Sequence, residues 1–308
     1  MADQIKSLTA SCTICEKDAP AQPNERLLAH EIPKQPWAKV GMDLFKCKGK
    51  DYLVIVDYLT DFFEISELSD TTSATVIKAT KKEFTRHGVP LMVQSDGGPQ
   101  FTSSEFQSFA KTWEFQHTAS SPYNSRSNGK AESAVKIAKR LLKRSQDPYR
   151  ALLEWRNTPT AGLGSSPAQR LLARRTRAAV PTNPKKLKAA PQPQMWEKKV
   201  ERQRKIQASR TTGKDLPPLR VGQPVLVQDV LARKTQWSRG YCVDQLSDRS
   251  YVANVDGRFL RRNRQLLQPT VNQPDEQPDS DEWGSTRTLR LKLCRIAPQS
   301  SQPQPQKG

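Results

Sequence analysis

The sequence predicts an α/β core built on a mixed sheet, followed after a basic linker by a small β-barrel. Three observations carry this fold class. Short β-rich runs crowd residues 37–68, strand and helix patterns then alternate to about residue 180, and four or five short strands follow within 221–268.

WAKVGMDLFKC, DYLVIVDYLT and FFEISEL read as an antiparallel three-strand meander, with Lys48, Gly49 and Lys50 supplying the first tight turn. TTSATVIKATKKEFTRHG has a Thr/Ser start, helical spacing through Val76, Ala79 and Phe84, and a Gly88 stop before Pro90. The strand LMVQS comes next. SSEFQSFAKTWEF then reads as a helix opened by Ser103 or Ser104, with Phe106, Phe109 and Trp113 on one face. Residues 174–220 hold 14 Lys+Arg against 3 Asp+Glu and are interrupted by PTNP, PQPQ and LPPL, which suits a charged inter-domain tether. Within it, MWEKKVERQRKIQAS has no Pro or Gly and reads as a solvated helix. Beyond it, VGQPVLVQDV, GYCVDQL, SYVANVDG and RFLRRNRQLL give the barrel strands, with a hairpin at Asp256-Gly257. From residue 271 the composition turns to Pro, Gln, Ser and acid, as in a disordered tail, with TLRLKLCRI as an isolated alternating run.

Fifty Lys+Arg against 31 Asp+Glu, a formal charge of +19, point to a polyanionic partner, and nucleic acid fits best. No stretch approaches the roughly 18–20 apolar residues of a membrane span, and MADQIKSLTA lacks the apolar run of a signal peptide. No membrane partner is expected, and the expected location is nuclear, or cytoplasmic before nuclear entry. Five cysteines at irregular positions do not form a disulfide framework, and Cys47, Cys242 and Cys294 read as small hydrophobes. His87 and His117 read as structural.

The segments VQSDGGPQF and SNGKAESAVKIAKRLLKR carry the chemistry. Asp96 ends an apolar strand before two glycines, and Glu132 falls one turn into a helix that Ser127 or Asn128 could cap. At about 100° per residue, Lys136, Lys139 and Lys143 share the Glu132 side, while Ala134, Ile137, Ala138 and Leu141 lie opposite. Carboxylates suit hard divalent cations such as Mg²⁺, which in pairs promote phosphoryl transfer. Taken singly, each acid also reads as an ordinary surface residue.

PWAKVGMDLF, YLVIVDYLTDFFEI, VQSDGGPQF, SSPYNSRSNGKAESAVK and RNTPTAGLGSSPAQRLL together resemble the integrase of gypsy-type LTR retrotransposons and retroviruses. The 35 residues between Asp96 and Glu132 match that family's spacing. The resemblance implies an RNase H-like mixed five-stranded sheet with helices, with Asp43 on the first strand, Asp96 at the end of the fourth and Glu132 on a following helix. It further implies that these three acids hold Mg²⁺ (or Mn²⁺) for 3′-end processing and strand transfer of double-stranded DNA, both element ends and target, by a homo-oligomer. Arg126 and Asn128 lie in the loop expected near the DNA end, with Lys136, Lys139 and Lys143 beside it.

The later strands are similar to the SH3-like DNA-binding domain that follows this core in gypsy-type elements, and Arg258, Arg261, Arg262 and Arg264 are its expected phosphate contacts. The family also implies a leading zinc domain with a His pair before a Cys pair. Cys12 and Cys15 have the Cys spacing, but the His pair is missing and His30 lies on the wrong side, so Zn²⁺ is not expected. The expected layout is therefore a zinc-domain remnant over 1–32, a catalytic core over 33–180, a basic linker over 181–219, an SH3-like domain over 220–270 and a disordered tail over 271–308. The alternative is a host-retained, integrase-derived DNA-binding protein that has lost the reaction.

Overall fold

The structure is a computed structural model, and it describes residues 12–17, 19–23, 25, 33–120, 128–190, 193–209, 215–229 and 236–272. Two compact units divide the chain, Gln22–Asp96 with Glu105–Pro217, and Met1–Ala21 with Gly97–Ser104 and Pro218–Gly308. The elements run α1 (Thr13–Lys17), β1 (Lys39–Cys47), β2 (Lys50–Asp57), β3 (Phe63–Leu68), α2 (Ser73–His87), β4 (Met92–Ser95), α3 (Pro99–Thr102), α4 (Ser104–Thr112) and β5 (Gln116–Ala119). Then come α5 (Gly129–Arg144), α6 (Pro148–Asn157), α7 (Pro167–Leu172), α8 (Pro193–Ser209), β6 (Pro224–Asp229), β7 (Gln236–Ser247), β8 (Ser250–Val255), β9 (Arg258–Asn263) and β10 (Leu267–Pro269).

The larger unit holds the predicted mixed sheet, in the order β3-β2-β1-β4-β5. β1, β2 and β3 pair antiparallel, and Lys48 and Gly49 join the first two with φ of 50° and 76°, the left-handed pair a two-residue hairpin needs. β4 and β5 add in parallel, each reached through helical connections. α2 starts on Thr72, whose hydroxyl accepts from Thr75 N, and ends at Gly88 (φ 92°).

Alternation along the strands divides the core between the two faces. Phe45, Cys47, Tyr52, Val54, Val56 and Phe63 pack against Ala131, Ala134, Val135 and Ala138 of α5 and Leu152 of α6. An aromatic cluster of Phe84, Phe106, Phe109, Trp113 and Phe115 joins α2 to α4, with ring centroids 5.1–6.3 Å apart. Each such buried ring stabilises by roughly 1.5–3 kcal/mol.

The segment predicted as a solvated tether carries α8, which packs on the core instead. Lys199 is buried against Asp61, Trp196 Nε1 donates to Arg170 O at 2.9 Å, and Gln203 Nε2 donates to Tyr58 O at 3.3 Å. Asp61 also takes Lys130 of α5 and the fully buried Arg170 of α7, at 3.0 Å. One carboxylate thus fastens α5, α7 and α8. Its pKa is held well below the carboxylate range because the cations outweigh the cost of burial. A pattern of exposed charge gave no sign of this, because Lys199 and Arg170 look like any other basic residues in the sequence.

The smaller unit is a five-stranded antiparallel sheet in the order β10-β6-β7-β8-β9. Asp256 and Gly257 form the expected hairpin, with φ of 48° and 75°. Leu219, Val225, Val227, Cys242, Tyr251, Ala253, Val255 and Leu267 make its core. RFLRRNRQLL is not one strand: a 3-10 turn over Arg264–Leu266 separates β9 from β10. Among the described residues the ladder places those two strands at opposite edges, so hydrogen bonding does not close the expected ring. Gly240 is required here, because a Cβ would stand 2.2 Å from Asn254 O across the β7–β8 ladder. The N-terminal residues join this unit: Trp237 Nε1 donates to Ala19 O at 2.7 Å, and Arg239 pairs with the buried Glu16 of α1 at 2.8 Å. TLRLKLCRI and the rest of the tail lie outside the described residues.

The contact between α5 and β1 is tight at one position. A Cβ on Gly41 would meet Tyr58 at 3.3 Å, Val56 at 3.4 Å and Ala131 Cβ at 3.5 Å. Gly41→Val is therefore expected to cost about 1–3 kcal/mol by overpacking, while Gly41→Ala stays within about 1 kcal/mol because a lone methyl needs only small shifts. Urea unfolding of the two variants beside wild type measures both.

Candidate active site

Asp43 lies on β1, opposite Val54 of β2, and shares its sheet face with Phe45 and Cys47, the face that α5 covers. β1 and β4 pair in parallel with Gly41 opposite Gln94. Two residues further along each chain stand Asp43 and Asp96, which places them side by side as β4 ends. Glu132 is brought to the same strand by the first turn of α5. Asn128 Nδ2 donates to Met42 O at 3.0 Å, and Ala131, fully buried, packs on Gly41. The structure therefore brings all three predicted acids together, each half-buried.

The proximity has an electrostatic consequence. Asp43 is pushed up to about 6, first by burial, then by the neighbouring Asp96 carboxylate, with Glu132 adding to the rise and Lys139 opposing it. A cation among these oxygens would remove that penalty, and an all-carboxylate donor set suits a hard divalent ion.

Around the acids, Lys136 and Lys143 are exposed as predicted, and Lys139 is half-buried with its Nζ 5.8 Å from the Phe45 ring centroid. Arg126 lies outside the described residues. Two predicted DNA contacts are corrected. Asn128 is 2% exposed and spends its amide on Met42, making no side-chain cap of α5. Arg264 is likewise 2% exposed, with its guanidinium turned in to Leu267 O. Both are therefore internal ties, because a side chain drawn under the surface cannot meet phosphate. Arg258 stays exposed and Arg261 and Arg262 half-buried. Cys12 and Cys15 adjoin each other at the start of α1, where Cys15 N donates to Cys12 Sγ at 3.5 Å and holds that thiol's pKa down. Among the described residues no histidine joins them in a ligand cluster.

The ligand atoms that do gather within 4.8 Å, among the described residues, belong to Glu64, Glu83 and His87, of which the sequence reading named only His87, as structural. They have protein partners. Glu64 bonds His87 at 2.9 Å and Arg156 at 2.6 Å, and Glu83 accepts from Ser66 at 2.9 Å and Arg86 at 3.0 Å. The cluster is a clamp between β3, α2 and α6.

Residues 33–125 match the family described as integrase core domain. The chain is 26% identical over 271 residues to the uncharacterized protein K02A2.6 of Caenorhabditis elegans, covering 83% of this chain and 21% of that protein. It is 32% identical over 150 residues to the Pro-Pol polyprotein of feline foamy virus, 46% of this chain and 13% of that one. The Gag-Pro-Pol polyprotein of human T-cell leukemia virus 2 is 29% identical over 143 residues, 45% and 10%. This chain thus spans about a tenth to a fifth of these relatives' length. In solved structures, a chain of the simian T-cell lymphotropic virus intasome, in complex with PP2A regulatory subunit B56 gamma, superposes with a TM-score of 0.57 at 18% identity, over 88% of this chain and 92% of that chain. The chain therefore carries an integrase core domain pattern over residues 33–125, shares sequence with viral Pol polyproteins, and has a fold similar to that of the intasome chain.

Removing the charge of Asp43 tests the electrostatics. A carboxyl whose folded pKa lies above its unfolded value of about 3.9 destabilises only once ionised, so the cost is absent at pH 4, grows to pH 6 and is complete above it. Discounted for partial exposure, it is about 1 kcal/mol, or roughly 2–4 °C. Asp43→Asn should match wild type in Tm at pH 4 and exceed it by that amount at pH 7 without divalent cations, as read by thermal unfolding.

Proposed function

We propose that this chain is an integrase of the gypsy-type retrotransposon kind, which trims the 3′ ends of DNA and joins them to target DNA with Mg²⁺ or Mn²⁺ held by Asp43, Asp96 and Glu132. The observation that carries this reading is the convergence of those three carboxylates at one point of the sheet, where burial and the neighbouring acids together raise the pKa of Asp43. Divalent ions bound there would activate the attacking oxygen and stabilise the leaving one.

The chain's own residues supply the rest. β1 and the end of β4 hold two acids on a rigid sheet, and α5 delivers the third through a fixed first turn. The exposed Lys136 and Lys143, with Lys139, would neutralise phosphates on either side of the reacting one. The smaller unit is read as an SH3-like DNA-binding module, with Arg258, Arg261 and Arg262 of β9 toward phosphate. Double-stranded DNA, as element end and as target, is the proposed partner, a homo-oligomer the proposed working form, and the nucleus the proposed place of action. Among the described residues no helix is long and apolar enough to cross a membrane.

Strand transfer of a labelled DNA end in Mg²⁺ or Mn²⁺ tests the reaction. Wild type should form joined products, and Asp96→Asn should lose at least about 100-fold in rate while still binding DNA. Equal inertness of both proteins, with binding retained, would mean a DNA-binding protein that has kept the fold without the reaction. For the binding face, Lys136→Ala and Lys139→Ala should each weaken DNA affinity and lower the slope of log K against log salt by about 1. Unchanged affinity at every salt concentration removes them from the interface.

A further inference from the structure

His117 sits on β5 opposite Val93 of β4, two residues before the Ser95–Ala119 pair. Its Nε2 lies 2.9 Å from Ser95 Oγ, and Ser95 Oγ donates to Asp96 O at 2.8 Å. A serine hydroxyl has one proton. The relay assigned here has that proton on the Asp96 carbonyl and the imidazole donating to Ser95 from Nε2–H. Burial pushes His117 down to about 4, so the ring stays neutral near neutral pH. The ring is also steadied edge-on against Phe106, with centroids 4.9 Å apart, and Ser95 itself is fully buried.

The chain leaves the sheet at this point. Ser120 N donates to Ser95 O at 3.0 Å as the last β4–β5 contact, and Asp96 runs straight into Gly97 and Gly98. Two glycines give the following peptide bonds wide freedom, so an acid placed there needs something other than the ladder to set its direction. From this geometry we infer that His117 is a positioning residue for Asp96, acting through Ser95 to fix the Asp96–Gly97 peptide and so the direction of the Asp96 carboxylate. The inference rests on the carboxylate site proposed above, but the hydrogen-bond relay can be read separately from cation binding.

The test uses three variants of the full chain. His117→Phe keeps a ring against Phe106 and loses the donor, His117→Gln keeps an N–H donor, and Ser95→Ala removes the intermediary. The amide ¹⁵N shift of Gly97, which senses hydrogen bonding to the preceding carbonyl, should move in His117→Phe and Ser95→Ala and stay near wild type in His117→Gln. Mn²⁺ affinity, measured by calorimetry, should fall about 10-fold or more in His117→Phe, the usual cost of losing an outer-sphere partner, and be largely restored in His117→Gln. A Gly97 shift and Mn²⁺ affinity unchanged in His117→Phe overturn the inference. So does a His117→Gln that behaves like His117→Phe, since that would show the ring acting by packing alone. If wild type binds no Mn²⁺ while the Gly97 shift still responds to the variants, the relay stands and the metal-site reading fails, and with it the catalytic purpose assigned to His117.

Discussion

The close approach of α5 to β1 is the constraint on which the rest of the core depends. A helix can stand this near a strand only where both present almost no side chain, and here Gly41 faces Ala131, with Ala134 and Ala138 continuing the small-residue face. Asn128 adds direction: its buried amide bonded to Met42 O sets the rotation of the helix, so that Glu132 emerges beside Asp43 and not a third of a turn away. Asp61 then anchors the start of the same helix through Lys130, and through Arg170 and Lys199 anchors the two helices behind it. These ties bury Asp43 and bring three like charges together, which is why Asp43 is perturbed.

Stability and the function proposed for these acids therefore pull in opposite directions at this point. A folded domain would be more stable with a neutral side chain at Asp43, and packing elsewhere offsets the cost of keeping a carboxylate there. The aromatic cluster between α2 and α4 and the fully satisfied Glu64–Arg156–His87 clamp are places where this unit gains stability without touching the acids. The two acid-rich clusters differ in kind. Glu64 is held down in pKa by His87 and Arg156 despite its burial, whereas Asp43 is driven up by burial and by its neighbouring acids. The charge of Glu64 is compensated by its partners and ties three elements together, whereas that of Asp43 is offset only in part, with Lys139 opposing the rise.

The strand and helix order of both units was legible because its signals are local: alternation in β1–β3, the Thr72 and Gly88 boundaries of α2, and the Asp256-Gly257 hairpin of the smaller unit. The lysine face of α5 was legible for the same reason, since helical periodicity alone sets it. The roles of Asn128 and Arg264 were not. Both look like surface polar residues, and only a partner 86 positions away in one case, and a turn that folds the chain back in the other, takes them inside. The α8 segment misled in the same way: a helix rich in charge reads as solvated until a half-buried carboxylate is found to receive one of its lysines.

The sequence by itself determined the elements, the small residues that permit close packing, and the identity of three acids within recognisable motifs. It could do so because propensity, periodicity and motif spacing are properties of neighbouring residues. Only the tertiary structure decided which polar groups are internal ties, that one carboxylate fastens three helices, and that His117 reaches Asp96 through Ser95. Those outcomes depend on burial and on partners distant in the chain, and a buried charge or hydrogen bond takes its meaning from the group it meets.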